Sequence, residues 1–286
     1  MSQRFHARIK RSEALIYLER PPAGAVYYGI MNEHLSNIPD RVAFIADAHL
    51  GLPDDDPARH ENLVSFIRMM RGHISHLYIV GDLFDFWFEY TSVVPNTAPR
   101  VVFELYNLVV SGTKVTLFGG NHDHWLGPYL SDDVGLHIVR DGLTVEHQGL
   151  RLYMHHGDGL YPDDHGYRIL KQILRSPVSI FLFRLLHPDL ARHIARISSK
   201  TSRTYLAPPG RTDRYREVFR EIADKKLSEG FDAVVYGHSH IELLEKRNVG
   251  HLILLGDWLT RNTYILLENG EFSLHNWHAS SEVSDG

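Results

Sequence analysis

The chain has 286 residues, 43% of them hydrophobic, enough to bury a full core as one large domain or two small ones. It contains no cysteine, so disulfides, thiolate metal sites and cysteine nucleophiles are excluded. The formal charge of −5 is mild, and no stretch approaches the roughly 18 uninterrupted apolar residues of a membrane span.

Residues 1–40 carry no clear pattern and are expected to form an N-terminal extension. Its basic start (Arg4, Arg8, Lys10, Arg11) lacks the apolar stretch of a secretory signal, so a soluble, cytoplasmic chain is expected. Val42–Ala46 then reads as a buried strand, and Ala58–Met70 as a helix with Leu63, Phe66, Ile67 and Met70 on one face. Leu77–Val80, a helix over Pro99–Val110 and Val115–Phe118 continue a β/α alternation that implies a parallel sheet. Leu143–Glu146 and Leu150–Met154 read as a hairpin around Gln148-Gly149, and residues 162–204 as helical. After the breaker Ala207-Pro208-Pro209-Gly210 comes a helix at Arg214–Leu227, ended by Gly230. Ala233–Tyr236, Leu252–Leu255, Thr263–Leu267 and Phe272–Asn276 complete the strands, with mostly antiparallel spacing expected. The fold class implied is a two-sheet α/β sandwich over residues 41–277, with a helical insertion near 160–210 and a flexible tail at 278–286.

Five polar motifs occur in order, four of them directly after an apolar strand. They are Asp47-Ala48-His49, Gly81-Asp82, Gly120-Asn121-His122-Asp123, His156-Gly157-Asp158 and Gly237-His238-Ser239-His240. Their Asp, Asn and His side chains suit a pair of divalent metals acting on phosphate. In extended backbone, residues i and i+2 face one way, so Asp47 with His49, and His238 with His240, are expected to form two-pronged claws. Ligands in open α/β sheets gather beyond the carboxyl ends of strands, which is where these motifs fall. A single Asp-x-His means little in a chain with 20 histidines; the ordered set, with its glycines, carries the argument.

This set resembles the calcineurin-like metallophosphoesterase superfamily, which implies an αββα sandwich and two metals. Carried over, one metal takes Asp47, His49, Asp82 and His240, the other Asp82, Asn121, His156 and His238, with Asp82 bridging. His156 is preferred to His155 because the family's ligand immediately precedes Gly-Asp. Manganese is the expected ion, and two such ions would lower the pKa of a water they share. His122 is expected to donate to a phosphoryl or leaving oxygen, its ring held by Asp123 or Asp85; Asp123 reads equally well as a helix N-cap.

Gly81-Asp82-Leu83-Phe84-Asp85-Phe86-Trp87, His156-Gly157-Asp158-Gly159-Leu160 and Asp163-Asp164 with Tyr167 resemble the UDP-2,3-diacylglucosamine hydrolase family of lipid A biosynthesis. The resemblance implies a lid that grips a UDP-sugar with two acyl chains, contacted through Trp87, Asp164, Tyr167 and Ser202; Trp87 and Tyr167 could equally be core aromatics. One position departs: the better-known branch has Arg where this chain has His122. Residues 160–216 carry eleven Lys/Arg against four Asp, and an apolar run (Val178–Leu186) precedes Arg192, Arg196, Lys200 and Arg203. That juxtaposition suits an acyl chain beside a diphosphate, through Arg196 and Lys200, or peripheral docking on the inner face of the membrane. The alternative is that the run packs the insertion onto the core. Other readings are a phosphodiesterase for a nucleotide or nucleic acid, which the apolar run disfavours, and a non-catalytic binding module. Oligomeric state is not readable.

Overall fold

The computed structural model describes residues 38–52, 57–162, 164–195 and 211–278. Most of the expected extension, Asp163, the insertion's Arg196, Lys200, Ser202 and Arg203, and the tail from Ala279 lie outside the described residues.

Strand β1 (Val42–Ile45) leads through α1 (Pro57–Met70), β2 (His76–Ile79) and α2 (Pro99–Val110) to β3 (Lys114–Phe118). A one-turn π-helix at Tyr129–Asp133 precedes the short β4 (His137–Val139). The hairpin β5 (Leu143–His147) and β6 (Leu150–His155) follows, turning at Gln148-Gly149, both with positive φ. Helices α3 (His165–Leu174), α4 (Pro177–Arg184) and α5 (residues 188–195) occupy the insertion. The chain closes with α6 (Arg211–Ser228), β7 (Ala233–Tyr236), β8 (Glu242–Lys246), β9 (His251–Leu255), β10 (Thr263–Glu268) and β11 (Glu271–Asn276).

Two sheets result, in the orders β11-β10-β1-β2-β3-β4 and β5-β6-β7-β9-β8. The β1–β4 strands are parallel, as the β/α alternation requires. The antiparallel expectation for the later strands holds for β10, β11 and the β8–β9 pair. It fails at β7, which runs parallel to both β6 and β9. Helix α6 is the crossover from β6 to β7, and a crossover connection delivers a parallel neighbour.

Alternating residues of β1 explain the layering. Val42 and Phe44 face the second sheet, in a core with Tyr78, Met154, Val235 and Ile253. Ala43 and Ile45 face α1 and α2, among Leu63, Phe66, Val101 and Leu105. The second sheet's outer face packs Val234, Tyr236 and Leu254 on Phe219 and Ala223 of α6. The order is therefore helix, sheet, sheet, helix, and strands buried on both faces read as continuous apolar runs. Each such buried side chain contributes about 1.5–3 kcal/mol.

Phe44 is fully buried between the sheets and stacks on Tyr78 at 5.3 Å. Phe44→Ala is expected to cost about 3–5 kcal/mol in urea unfolding; a loss below 1 kcal/mol would contradict this picture of the core.

Candidate metal centre and active site

All five motifs lie at one end of the two sheets. Asp47-Ala48-His49 follows β1, Gly81-Asp82 follows β2 and the Asn121 loop follows β3. The second sheet adds His156 after β6 and the His238–His240 loop after β7. Backbone bonds tie the loops together: Asp47 N donates to Gly81 O at 3.1 Å, and His49 N to Asp82 O at 2.9 Å. His238 N donates to Asp47 Oδ2 at 2.9 Å, which joins the two sheets through the site. Two glycines are demanded by contact. A Cβ at Gly120 would collide with the Asp82 carboxylate, and one at Gly237 would come within 2.8 Å of Val80 O.

The claws expected from extended backbone are built differently. Asp47, His49, Asp82, His238 and His240 all have φ between 45° and 63°, the left-handed region. They are five of the nine non-glycine residues with positive φ among the described residues. L-residues pay steric strain there, which persists only where surrounding contacts impose it. The left-handed turn, and not the pleat of a strand, makes each pair converge.

Three groups of ligand atoms come together: Asp47, His49 and His240 in one, Asp82, His156 and His238 in a second, and His49, Asp85 and His122 in a third that shares His49 with the first. Asp82 Oδ2 lies 3.7 Å from His49 Nε2 and 3.4 Å from His156 Nε2, so it stands between them. Asp47 Oδ1 is 3.9 Å from His49 Nε2 and 3.8 Å from His240 Nε2. Most of these separations exceed hydrogen-bond length and approach the roughly 3–3.5 Å that separates neighbouring ligands around one ion. Asp47 Oδ1 and both ring nitrogens of His49 are buried without a hydrogen-bond partner. Atoms in that state are costly unless something else satisfies them, and a cation would. Asn121 Oδ1 sits 3.1 Å from His156 Nε2 and 2.8 Å from His238 Nδ1, completing the second group. The residues fit two divalent cations.

Burial lowers His49 to about 4 and His238 to about 3, keeping both rings neutral, the form that binds metal. Burial also opposes charge on His156 and His240, yet Asp82 raises the first to about 10 and Asp47 raises the second, so a cation there must displace a proton. Burial would raise Asp82, but His156, His122 and His49 outweigh it and hold the carboxyl well below its usual value. His156 Nδ1–H donates to Val80 O at 2.8 Å, which turns Nε2 toward the centre. His155, the rejected neighbour, instead lies against Asp141 and accepts from Gly157 N.

His122 stands beside the centre. Its Nδ1 is 3.3 Å from the Asp85 carboxylate, and its backbone N–H donates to Asp82 Oδ1 at 2.9 Å. Burial opposes its charge, yet Asp82 and Asp85 raise it to about 8, so the ring is a cationic donor near neutral pH. Asp85, therefore, and not Asp123, holds His122. Asp123 is fully buried and accepts from the N–H groups of Gly120, Phe84 and Asp82, pinning two motif loops together rather than capping a helix.

Of the expected substrate contacts, Trp87 is a core residue. It is fully buried, packed on Phe84 and hydrogen-bonded to Glu89. Asp164 begins α3, where its carbonyl accepts Arg168 N–H. Tyr167 lines a groove at the site, but its hydroxyl donates to Asp158 Oδ2 at 2.8 Å. Asp158 belongs to the fourth motif, where the sequence suggested no role for it, and it anchors α3. Lys171 Nζ approaches its carboxylate at 2.8 Å and Arg175 at 3.5 Å. Tyr167, Lys171 and Arg175 recur every fourth residue, hence on one helix face. Asp257, also unforeseen, lies 3.7 Å from His240 Nδ1. Its setting, Gly256-Asp257 after an apolar strand, repeats the grammar of the motifs and could have revealed it.

A family model for calcineurin-like phosphoesterases matches residues 40–242. The chain belongs to that family. It is thus a metal-dependent hydrolase, and the family implies divalent ions for the first two ligand groups. It is 30% identical over 242 residues to the UDP-2,3-diacylglucosamine hydrolase of Porphyromonas gingivalis, covering 78% of this chain and 92% of that protein. Proteins of the same name from Pseudomonas putida strain F1 and Chromobacterium violaceum are each 28% identical, covering 97% and 95% of those proteins. Among the described residues, no helix of this calcineurin-like hydrolase is long and apolar enough to cross a membrane.

Two outcomes are expected. Stripping metal with a chelator should lower the thermal midpoint by several degrees, restored by adding a divalent ion, because the cation compensates buried ligand atoms; an unchanged midpoint would count against the centre. Asp158→Ala should strand Lys171 and accelerate amide exchange across α3 by tenfold or more, and unaltered exchange would show that α3 is held otherwise.

Proposed function

We propose that the protein hydrolyses the diphosphate bond of UDP-2,3-diacylglucosamine, releasing UMP and 2,3-diacylglucosamine 1-phosphate. The observation that carries this reading is an apolar groove of about 290 Å³ that opens beside the metal ligands. His122 and Asn121 stand at one end; Phe86, Trp125, Leu170, Leu174, Phe183 and Ile194 form the walls. A sugar phosphate held at the centre can therefore lay an acyl chain of the sugar along the groove, and burial of the chain adds about 0.8 kcal/mol per methylene. The names of the relatives support the same substrate.

When bound, two divalent cations supply charge neutralisation for the phosphoryl group and an acidified water. Asp47, His49, Asp82 and His240 would hold one, and Asp82, Asn121, His156 and His238 the other. Manganese suits these oxygen and imidazole donors. His122, protonated and held by Asp85, donates to the phosphoryl or leaving oxygen as charge develops there. Asp158, through α3, keeps the groove in register with the ligand loops.

The outward face of the insertion supports peripheral attachment to an anionic membrane on the cytoplasmic side. Val178, Phe181 and Leu185 are each at least 60% exposed, with Arg184 among them. The nucleic-acid reading is disfavoured because Lys171 and Arg175 turn inward to Asp158, away from any phosphate backbone.

Manganese-loaded protein is expected to convert the diacyl UDP-sugar to UMP, followed by chromatography. Cleavage of a generic aryl phosphodiester with the lipid left intact would reject the substrate. His122→Ala should retain both metals and lower kcat by about 10²–10³; near-native turnover would remove His122 from the mechanism.

A further inference from the structure

The apolar groove has a neighbouring cleft with which it shares residues beside the centre. The second, of about 360 Å³, lies on the other side of Phe86, and Asp85 and Phe86 line both. Its walls are mixed: Tyr90 and Asn96 from the loop before α2, and Asp189 and Arg192 from α5, bring polar groups, set beside the apolar Val93 and Val94. Arg192 reaches toward Asn96 Oδ1 at 3.5 Å, bridging the loop and the insertion across the cleft. Asp85 also contacts His122, so the floor of this cleft is one side chain from the donor to the reacting phosphate.

We propose that this second cleft is the subsite for the uridine nucleotide leaving group. The inference rests on the function proposed above, which requires one molecule to present a hydrocarbon part and a nucleotide part to a single diphosphate site. Two clefts sharing one floor, one largely apolar and one carrying amide and charged groups among its apolar ones, can receive those parts separately. The volume lies at the lower end of small-molecule pockets, in keeping with one nucleotide. The chemistry is complementary. Uracil presents an N3–H donor between two carbonyl acceptors, and the Asn96 amide offers an acceptor beside a donor. Arg192 can donate to the remaining carbonyl or to a phosphate oxygen, and Asp189 can accept from ribose hydroxyls. The ring of Tyr90 supplies an apolar face for the base.

The test uses the full chain loaded with manganese, and UMP as probe in titration calorimetry. Asn96→Ala and Arg192→Ala are each expected to weaken UMP binding about tenfold or more, while two metal equivalents per chain report an intact centre. No UMP binding by wild type, or unchanged affinity in both variants, overturns the subsite. So does loss of UMP binding on Leu174→Arg in the apolar groove with no loss in the Asn96 and Arg192 variants. KM for the diacyl UDP-sugar separates this proposal from the broader one. If wild type cleaves that lipid and both variants keep its KM, the subsite fails and the function stands. If wild type ignores the lipid but UMP affinity falls in both variants, the function fails and the subsite stands.

Discussion

Asp82 is 1% exposed at the meeting point of four loops, and a carboxylate so placed costs several kcal/mol unless charge and hydrogen bonds surround it. The surroundings answer that demand from every side. The N–H of His122 donates to its carboxylate, and the rings of His49 and His156 face it. Asp123 fixes its backbone from behind. None of these groups is its sequence neighbour; they arrive at the ends of β1, β3 and β6. The parallel β1–β2–β3 arrangement is what makes this possible, because parallel strands release their loops at a common edge. The same requirement explains the left-handed backbone at five ligands. Short loops that must turn side chains back over a strand end accept steric strain, and the buried polar network over-determines them.

The insertion shows how a charge pattern can mislead when read without its partners. Its surplus of Lys and Arg invites an electrostatic surface, but the cations of α3 are used internally. Lys171 and Arg175 neutralise Asp158, and Arg168 donates to the carbonyls of Gly159, Tyr161 and Pro162. The side turned to solvent is instead apolar along α4. One short helix, α3, thereby has two faces with separate duties: a polar one that fixes its distance from the ligand loops, and an apolar one that helps to wall the groove.

The strands on which the ligands depend were legible because they are buried on both faces, and such strands appear as unbroken apolar runs. Leu152–His155, Ala233–Tyr236 and Val42–Ile45 all follow this rule. The edge strand β8 (Glu242–Lys246) was not legible, since a half-buried Glu-Leu-Leu-Glu-Lys carries no strand signal of its own. Pairing direction at β7 was equally hidden; it depends on which strands end up adjacent, and no local residue encodes that. At the site the identity of the ligands was visible in the motif spacing, while roles set by three-dimensional contact were not. Asp123 adjoins His122 in sequence and Asp85 lies 37 residues before it, yet hydrogen bonding makes the distant residue the holder and the adjacent one the loop pin. Trp87 is similar: adjacency to a motif placed it near the site, but the side chain turns into the core behind it.

The N–H of His238 donating to Asp47 has a consequence for the order of events during synthesis. One sheet's first ligand is completed by a loop made nearly 200 residues later. Until β7 emerges from the ribosome and pairs with β6, Asp47, His49 and Asp82 are carboxylates and imidazoles without their counterparts. A nascent chain therefore exposes an unfinished chelating surface for most of its translation, and the capacity to hold two ions arises in one late step when the second sheet closes on the first.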